Sequence, residues 1–304
     1  MTKFRFGINY SDATGDGWTG FCRTSEEMGF DVILAPDHLG APAPFAMLAA
    51  AAAVTTRTRL GTYVANNEFW NPAMPAREAA TVDRLSGGRL ELGLGCGYMR
   101  SEFESAGIPW RGHPERVDRL ERGITELDRL FTGDGPRPLP GADRRPPLLV
   151  GGHGERILAL AAERADIVGF SGLRQRRAAG PGALVVAGAE ETLRRVELVR
   201  RRAGARAGSL EFSVLVHAVL ITDDAERTAA ETAEKYAGVG LETARDVLDS
   251  PYILVGTVDE IAAELVADRD RFGFGYVATH GPFRDALARV IPRVRELEAA
   301  RGIS

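Results

Sequence analysis

The sequence predicts an α/β fold, a TIM-type (β/α)8 barrel. Three observations carry that expectation: about eight short apolar runs recur along the chain, each is followed by a helical segment, and polar residues gather just beyond the runs. Runs that are apolar throughout, rather than alternating, belong to strands covered on both faces, which a parallel sheet with helices around it provides. A doubly wound open sheet satisfies the same order of elements and is the alternative fold. The 304 residues fit one large α/β unit or two small domains. Because the strand and helix rhythm resumes after every loop, a single barrel over residues 1–304 is expected, with insertions after the fourth, sixth and seventh strands.

Phe4 to Tyr10 reads as the first strand, Trp18 to Met28 as a helix, and Asp31 to Ala35 as the second strand, ending at Pro36-Asp37-His38. The alanine-rich helix Phe45 to Val54, strand Leu60 to Ala65, helix Ala76 to Leu85 and strand Leu90 to Leu94 complete four units, the last closed by Gly95-Cys96-Gly97. An amphipathic helix from Arg116 to Phe131 and a Pro/Gly-rich loop from Gly133 to Pro147 lead to strand Leu148 to Val150. Helix Arg156 to Arg164, strand Ile167 to Phe170, helix Glu190 to Arg202, strand Phe212 to Ile221 and helix Ala225 to Tyr236 follow. The segment Leu241 to Leu254 breaks the rhythm. Thr257-Val258-Asp259-Glu260 then reads as a capping box, opening a helix to about Phe272, before strand Tyr276 to Thr279 and helix Phe283 to Ala300.

Composition excludes several functions. With 38 basic against 42 acidic residues the formal charge is -4, so neither nucleic acid nor an anionic membrane is the expected partner. Two cysteines, Cys22 and Cys96, are too few for a disulfide framework or a cysteine zinc site. The five histidines, His38, His113, His153, His217 and His280, lack metal-motif spacing, and no metal is expected. The longest uncharged apolar run, Phe45 to Val54, is too short to span a bilayer, and the amino end shows no leader signature. A soluble, cytoplasmic protein with a small-molecule substrate is the expectation.

In a parallel barrel, reactive groups sit at the carboxyl ends of the strands, around one shared mouth. Asp37 and His38 follow the second strand, Asn66, Asn67 and Glu68 the third, Tyr98 and Arg100 the fourth, His153 the fifth, Ser171 the sixth and His280 the eighth. The carboxylate of Asp37 beside the imidazole of His38 suits proton transfer, although a helix cap uses the same residues. Gly151-Gly152-His153-Gly154 closes a strand and opens a helix, so its backbone N–H groups can approach an anion, or simply make a tight turn. The basic run Arg174, Arg176 and Arg177 suits an anionic ligand tail or a solvated loop. Phe45, Phe69, Trp70, Trp110 and His280 flank the mouth as a candidate substrate pocket or as ordinary packing. Cys96 has no neighbouring base and no CxxC partner, which argues against a nucleophile. Gly93-Leu94-Gly95-Cys96-Gly97 lacks the spacing of a dinucleotide fingerprint.

Leu60-Gly61-Thr62, Asn66-Asn67, Asn71-Pro72, Ala76-Arg77-Glu78, Asp83-Arg84-Leu85-Ser86-Gly87-Gly88-Arg89 and Glu91-Leu92-Gly93-Leu94-Gly95 together resemble the luciferase-like monooxygenase family. Pro36-Asp37-His38, Gly151-Gly152-His153-Gly154, Ala165-Asp166-Ile167-Val168 and Val255-Gly256-Thr257 extend the resemblance over nearly the whole chain. Within the family it is most similar to the actinobacterial branch that uses coenzyme F420, a deazaflavin, with FMN as the alternative cofactor. The resemblance implies a barrel with the tricyclic ring in its mouth, Asp37 and His38 beside that ring, and a non-prolyl cis peptide at Tyr63-Val64 backing it. It places the cofactor phosphate on the backbone of Gly152 to Gly154.

Tyr98 stands where the sugar-phosphate-oxidising branch has a glutamate, and Leu173 where it has a phosphate-binding lysine, so a sugar phosphate is disfavoured. A phenol is an acid rather than a base at neutral pH, which suits reduction. The resulting assignment is an oxidoreductase that passes hydride from reduced F420 to an apolar, unsaturated small molecule. The catalytic candidates are His38, Asp37 and Tyr98. The cofactor candidates are Asp37, Tyr63, Val64, Ala65, Asn66, Gly95, Cys96, Gly97, the stretch Gly151, Gly152, His153 and Gly154, Ser171 and Arg174. An FMN-dependent monooxygenase is one alternative and a non-catalytic partner subunit of an active homologue is another; a homodimer is expected.

Overall fold

A computed structural model describes residues 3–10, 16–133, 137–175 and 184–303 of the chain. The first half runs β1 (Arg5–Asn9), α1 (Asp16–Glu27), β2 (Val32–Ala35), α2 (Pro44–Val54), β3 (Arg59–Thr62), β4 (Ala65–Asn66), α3 (Ala73–Leu85), β5 (Leu90–Gly95), α4 (Arg100–Ser105) and α5 (His113–Thr132). It continues with β6 (Leu148–Gly151), α6 (Glu155–Arg164), β7 (Ile167–Phe170), β8 (Leu173–Gln175), β9 (Leu184–Val186) and α7 (Ala189–Ala203). The remainder is β10 (Glu211–Val216), β11 (Ala218–Ile221), α8 (Ala225–Lys235), α9 (Ala244–Leu248), β12 (Ile253–Gly256), α10 (Val258–Phe272), β13 (Phe274–His280) and α11 (Arg284–Ala300).

The main sheet is a nine-segment ring in the order β3, β2, β1, β13, β10, β7, β6, β5, β4, closed by pairing of β3 with β5. Since β3 and β4 are two halves of one barrel strand, nine segments make eight staves, and every pairing among them is parallel. The closed barrel is the fold the apolar runs predict. Its strands are apolar throughout because both faces are covered: buried side chains such as Phe6, Ile33, Leu60 and Val277 face the helices, while Leu34, Leu149, Leu215 and Tyr276 fill the interior.

Two sequence expectations need correction. The predicted strand Phe212 to Ile221 breaks at His217, and its second half leaves the barrel to pair with β12 in a separate two-stranded ribbon. The segment Leu241 to Leu254 is not a structureless interruption, because it contains α9 and the start of β12; short apolar runs of this kind are ambiguous by periodicity alone. Elsewhere the local chemistry does what it predicts. Thr257 and Glu260 cap α10 reciprocally, and Gly273, at φ +89°, ends it in the left-handed conformation. Among the described residues no helix is long and apolar enough to cross a membrane.

Side chains alternate across a strand, so the interior rows can be followed upward. Arg5 and Tyr276 are register partners near the base, Gly7 and Ala278 come next, and Asn9 and His280 end the rows at the mouth. The base is charged: Arg5 pairs with Glu91 and Glu211, and Arg59 with Glu91. The mouth therefore opens above a packed core and not a channel.

Candidate active site

His38, beyond the end of β2, places Nδ1 2.8 Å from Oε1 of Glu102 in α4, and Glu102 is only 7% exposed. A carboxylate accepts and cannot donate, so Nδ1 carries the hydrogen and Nε2 is left as the exchangeable position. The Tyr98 ring meets the imidazole edge-on at 5.8 Å. Burial, with the nearby Glu102 charge, raises the Tyr98 phenol above its ordinary value, so it stays protonated.

The carboxylate bonded to His38 is Glu102 and not its sequence neighbour Asp37. The adjacent Asp37 does not contact His38 among the hydrogen bonds described; its Oδ2 instead accepts from the Asn66 N–H at 3.0 Å and from Trp70 Nε1 at 2.9 Å. Asp37 thus fastens the start of the third-strand loop to the second strand and holds Trp70, which packs edge-on against Phe45. Glu102 was missed because it lies 64 residues from His38, on a six-residue helix in an insertion. A lone carboxylate in such a segment carries no sequence signal for a distant partner.

The Tyr63–Val64 peptide is cis, at the point where β3 gives way to β4. Val64 then sits among glycines. A Cβ on Gly95 would lie 2.6 Å from Val64 Cγ2, one on Gly93 would lie 3.3 Å from Cγ1, and one on Gly151 3.4 Å from the same methyl. Gly93 is excluded from bearing a side chain on a second count, since its Cβ would meet the Thr62 carbonyl oxygen at 2.0 Å. The glycine string in β5 is therefore explained by a close approach of backbone to Val64. Ala65 and Asn66 follow as buried residues of β4, paired with Leu94 and Gly95. Gly97, at φ +68°, makes room for the Asn66 amide, and Asn66 Oδ1 accepts from the Glu68 N–H. Cys96 is buried, which raises its thiol, and its carbonyl accepts from Arg116; a structural role fits.

At the amino end of α6 the glycines of the turn let Ile157 and His113 pack directly on the backbone. A Cβ on Gly152 would lie 2.5 Å from Ile157, and one on Gly154 would lie 3.3 Å from His113. No side chain caps the helix, so its first-turn N–H groups remain available. Burial, together with Arg195, His113 and Arg174, pushes His153 down to about 4, and burial with Arg116 and Arg156 lowers His113. Such a positive neighbourhood at a helix amino terminus suits an anion. Arg174 pairs with Glu191 at 3.2 Å, so that charge is already shared. Arg176 and Arg177 lie outside the described residues.

The five aromatic and histidine candidates for a substrate pocket do not form one group. Phe45 and Trp70 are one pair, Phe69 and Trp110 join through Phe103, which Trp110 meets at 4.8 Å, and Arg116 covers the Trp110 ring. His280 is apart from both, 5.6 Å from His217 ring to ring. The Ser171 carbonyl accepts from His217 Nε2 at 2.7 Å, and His217 is a residue the sequence reading passed over. Among the described residues no group of histidine, cysteine and carboxylate side chains is arranged to hold a metal.

A profile of the luciferase-like monooxygenase family matches residues 6–276, and the chain belongs to that family. It is 40% identical over 119 residues to an F420-dependent glucose-6-phosphate dehydrogenase of Intrasporangium calvum, and the aligned part spans 36% of each chain. It is 38% identical over 65 residues to an FMNH2-dependent dimethylsulfone monooxygenase of Pseudomonas putida, spanning 21% of this chain and 18% of that one. The matched segments are thus well under half the length of these curated relatives. The coenzyme F420 dependent tetrahydromethanopterin reductase of Methanopyrus kandleri superposes with a TM-score of 0.71 at 18% identity, covering 96% of this chain and 100% of that one, a likeness of fold.

Proposed function

We propose that the protein is an F420-dependent oxidoreductase that reduces an apolar small molecule carrying a reducible double bond. The observation that supports this reading most is the glycine-lined half of the mouth. Gly93, Gly95, Gly151 and Gly169 come from the three neighbouring strands β5, β6 and β7, with Val64 seated among the first three. A flat ring fits against the Tyr63–Val64 bulge that these glycines admit, and an attached phosphate fits the uncapped turn at α6. The residues that would hold the cofactor are Asp37, Tyr63 to Asn66, Gly95 to Gly97 and Gly151 to Gly154, with Ser171 and Arg174 nearby. Bound there, the deazaflavin supplies two-electron hydride chemistry. FMN, sharing a tricyclic ring and a phosphate, fits the same seat and is the second reading.

His38 is the proton donor in this assignment, acting through Nε2 while Glu102 fixes the orientation of the ring. Tyr98 is a second phenolic donor at its edge. Asp37 acts as a positioning residue. The protein's contribution is orientation and placed charge. We also infer a homodimer, because α2 bears no charged side chain over its 11 residues although Ala46 and Ala53 are exposed; light scattering of the purified protein tests it.

The test is a pair of titrations of the purified protein with F420 and with FMN, following the fluorescence of Trp18, Trp70 and Trp110. Saturable F420 binding at least about tenfold tighter than FMN, about 1.4 kcal/mol, supports the assignment. The reverse order makes the flavin monooxygenase the better reading, and binding of neither cofactor leaves the partner-subunit reading.

A further inference from the structure

The other half of the mouth is polar, and its hydrogen bonds run in one direction. The Ser171 carbonyl can only accept, so the 2.7 Å contact fixes the hydrogen of His217 on Nε2 and leaves Nδ1 with a lone pair. That Nδ1 faces His280 Nε2 at 3.4 Å, so His280 Nε2 is the donor and His280 Nδ1 is in turn a pure acceptor. Both rings are held neutral: burial, with His217 beside it, pushes His280 down to about 4, and burial lowers His217 against the opposing Ser171 bond. Among the described residues His280 Nδ1 has no hydrogen-bond partner. The register partner of His280 on β1 is Asn9, whose side chain ends the adjacent interior row, and Asn9 Oδ1 is buried and also without a partner. A buried acceptor left unpaired costs about 1–3 kcal/mol, so a site with this atom calls for a donor.

We propose that Asn9 Oδ1 and His280 Nδ1 form a two-acceptor subsite that shares the single hydrogen of a hydroxyl group on an otherwise apolar substrate. The position favours substrate over cofactor. In barrel order β2, β1 and β13 are consecutive, so Asn9 and His280 continue from the His38 side, across the barrel from the glycines of β5 and β6, while His217 at the end of β10 borders β7. A hydroxyl held there keeps the substrate between the acceptor pair and the proton donor. No bond changes at the subsite; it selects and orients. This deepens the proposed function and rests on it for the word substrate.

The experiment uses the full chain labelled with 15N-histidine, with phenol as the hydroxyl probe and anisole, its methyl ether, as the control. At neutral pH His217 and His280 are expected as neutral rings protonated on Nε2, with phenol shifting the His280 Nδ1 resonance and anisole leaving it in place. Asn9→Leu and His280→Phe are each expected to weaken phenol at least tenfold and anisole less than twofold, with F420 binding by tryptophan fluorescence within twofold of the parent. The two variants guard against either one failing to fold. A His280 ring protonated on Nδ1, or equal responses to phenol and anisole, absence of any response included, overturns the proposal. Loss of F420 binding in both folded variants overturns it differently, by assigning the donor to the ring N–H of the cofactor. Failure of the parent protein to bind F420 sinks the proposed function while the phenol comparison still reads the acceptor pair.

Discussion

Nδ1 of His38 and Oε1 of Glu102 meet at 2.8 Å across two separate parts of the chain, a barrel stave end and a short inserted helix. The pairing orients the ring and leaves one nitrogen free. Glu102→Gln replaces a charge-assisted hydrogen bond to Nδ1 by a weaker neutral one and loosens the hold on the ring. Turnover, followed by F420 absorbance with a substrate identified by screening, is expected to fall about 10–100-fold, with F420 affinity unchanged. In a His38→Gln background the same change is expected to cost almost nothing more, since the two residues act as a unit. Equal losses in both backgrounds would separate the pair.

The seat of Val64 predicts a reciprocal effect. Gly95→Ala puts a methyl 2.6 Å from Val64 Cγ2 and is expected to weaken F420 at least about tenfold while circular dichroism still reports the fold. Val64→Ala in the same chain is expected to restore part of the lost thermal stability. Gly93→Ala, facing a backbone oxygen that cannot swing away, is expected to yield little folded protein.

Anion binding at α6 should be linked to protons. Free His153 sits near 4, below its ordinary value, because burial and neighbouring Arg195, His113 and Arg174 oppose its charge. A bound phosphate reverses part of that opposition, so the complex holds more protons than the free protein in the window above 4. Affinity for a phosphate diester, whose charge is constant over this range, is therefore expected to rise as pH falls from 7 to 5, and His153→Gln to flatten the slope. Isothermal titration at three pH values in two buffers of different ionisation enthalpy reads both the affinity and the proton uptake. A slope unchanged in the variant refutes the linkage.

Asp37→Asn should release Trp70. The carboxylate takes two N–H groups in a half-buried setting, and bonds to a charged acceptor contribute about 1.5–3 kcal/mol. Urea unfolding is expected to show a loss of about 2 kcal/mol, with a red shift of emission that vanishes in a Trp70→Phe background. A stability loss without the Trp70 signal would place the effect elsewhere.

The barrel was legible in the sequence because burial on both faces of each strand writes an apolar run that no loop imitates, and the helix caps are local. Thr257 and Glu260 are three residues apart, and the chain order alone identifies them. The strand break at His217 was not legible, because Phe212 to Ile221 is apolar on either side of it and only the partner strands reveal the change of sheet. The site was legible in type more than in wiring. His38 and the turn at Gly152 to Gly154 stand out by residue chemistry, whereas Glu102 and His217 act through contacts with residues far along the chain. Asp37 adjoins His38 in the chain, yet its carboxylate is taken up by Asn66 and Trp70, contacts that adjacency does not show.

The division of the mouth into a glycine wall and a side-chain wall has an evolutionary consequence. One half offers natural variation almost nothing to work with, because any added carbon at Gly93 or Gly95 collides with the chain itself. The other half presents Asn9, His217 and His280, side chains that single-base changes can swap without moving the backbone. Descendants of this scaffold can thus diverge in what they transform while inheriting the same seat beneath it, and a mutational library aimed at new substrates should spend its diversity on one arc of the rim.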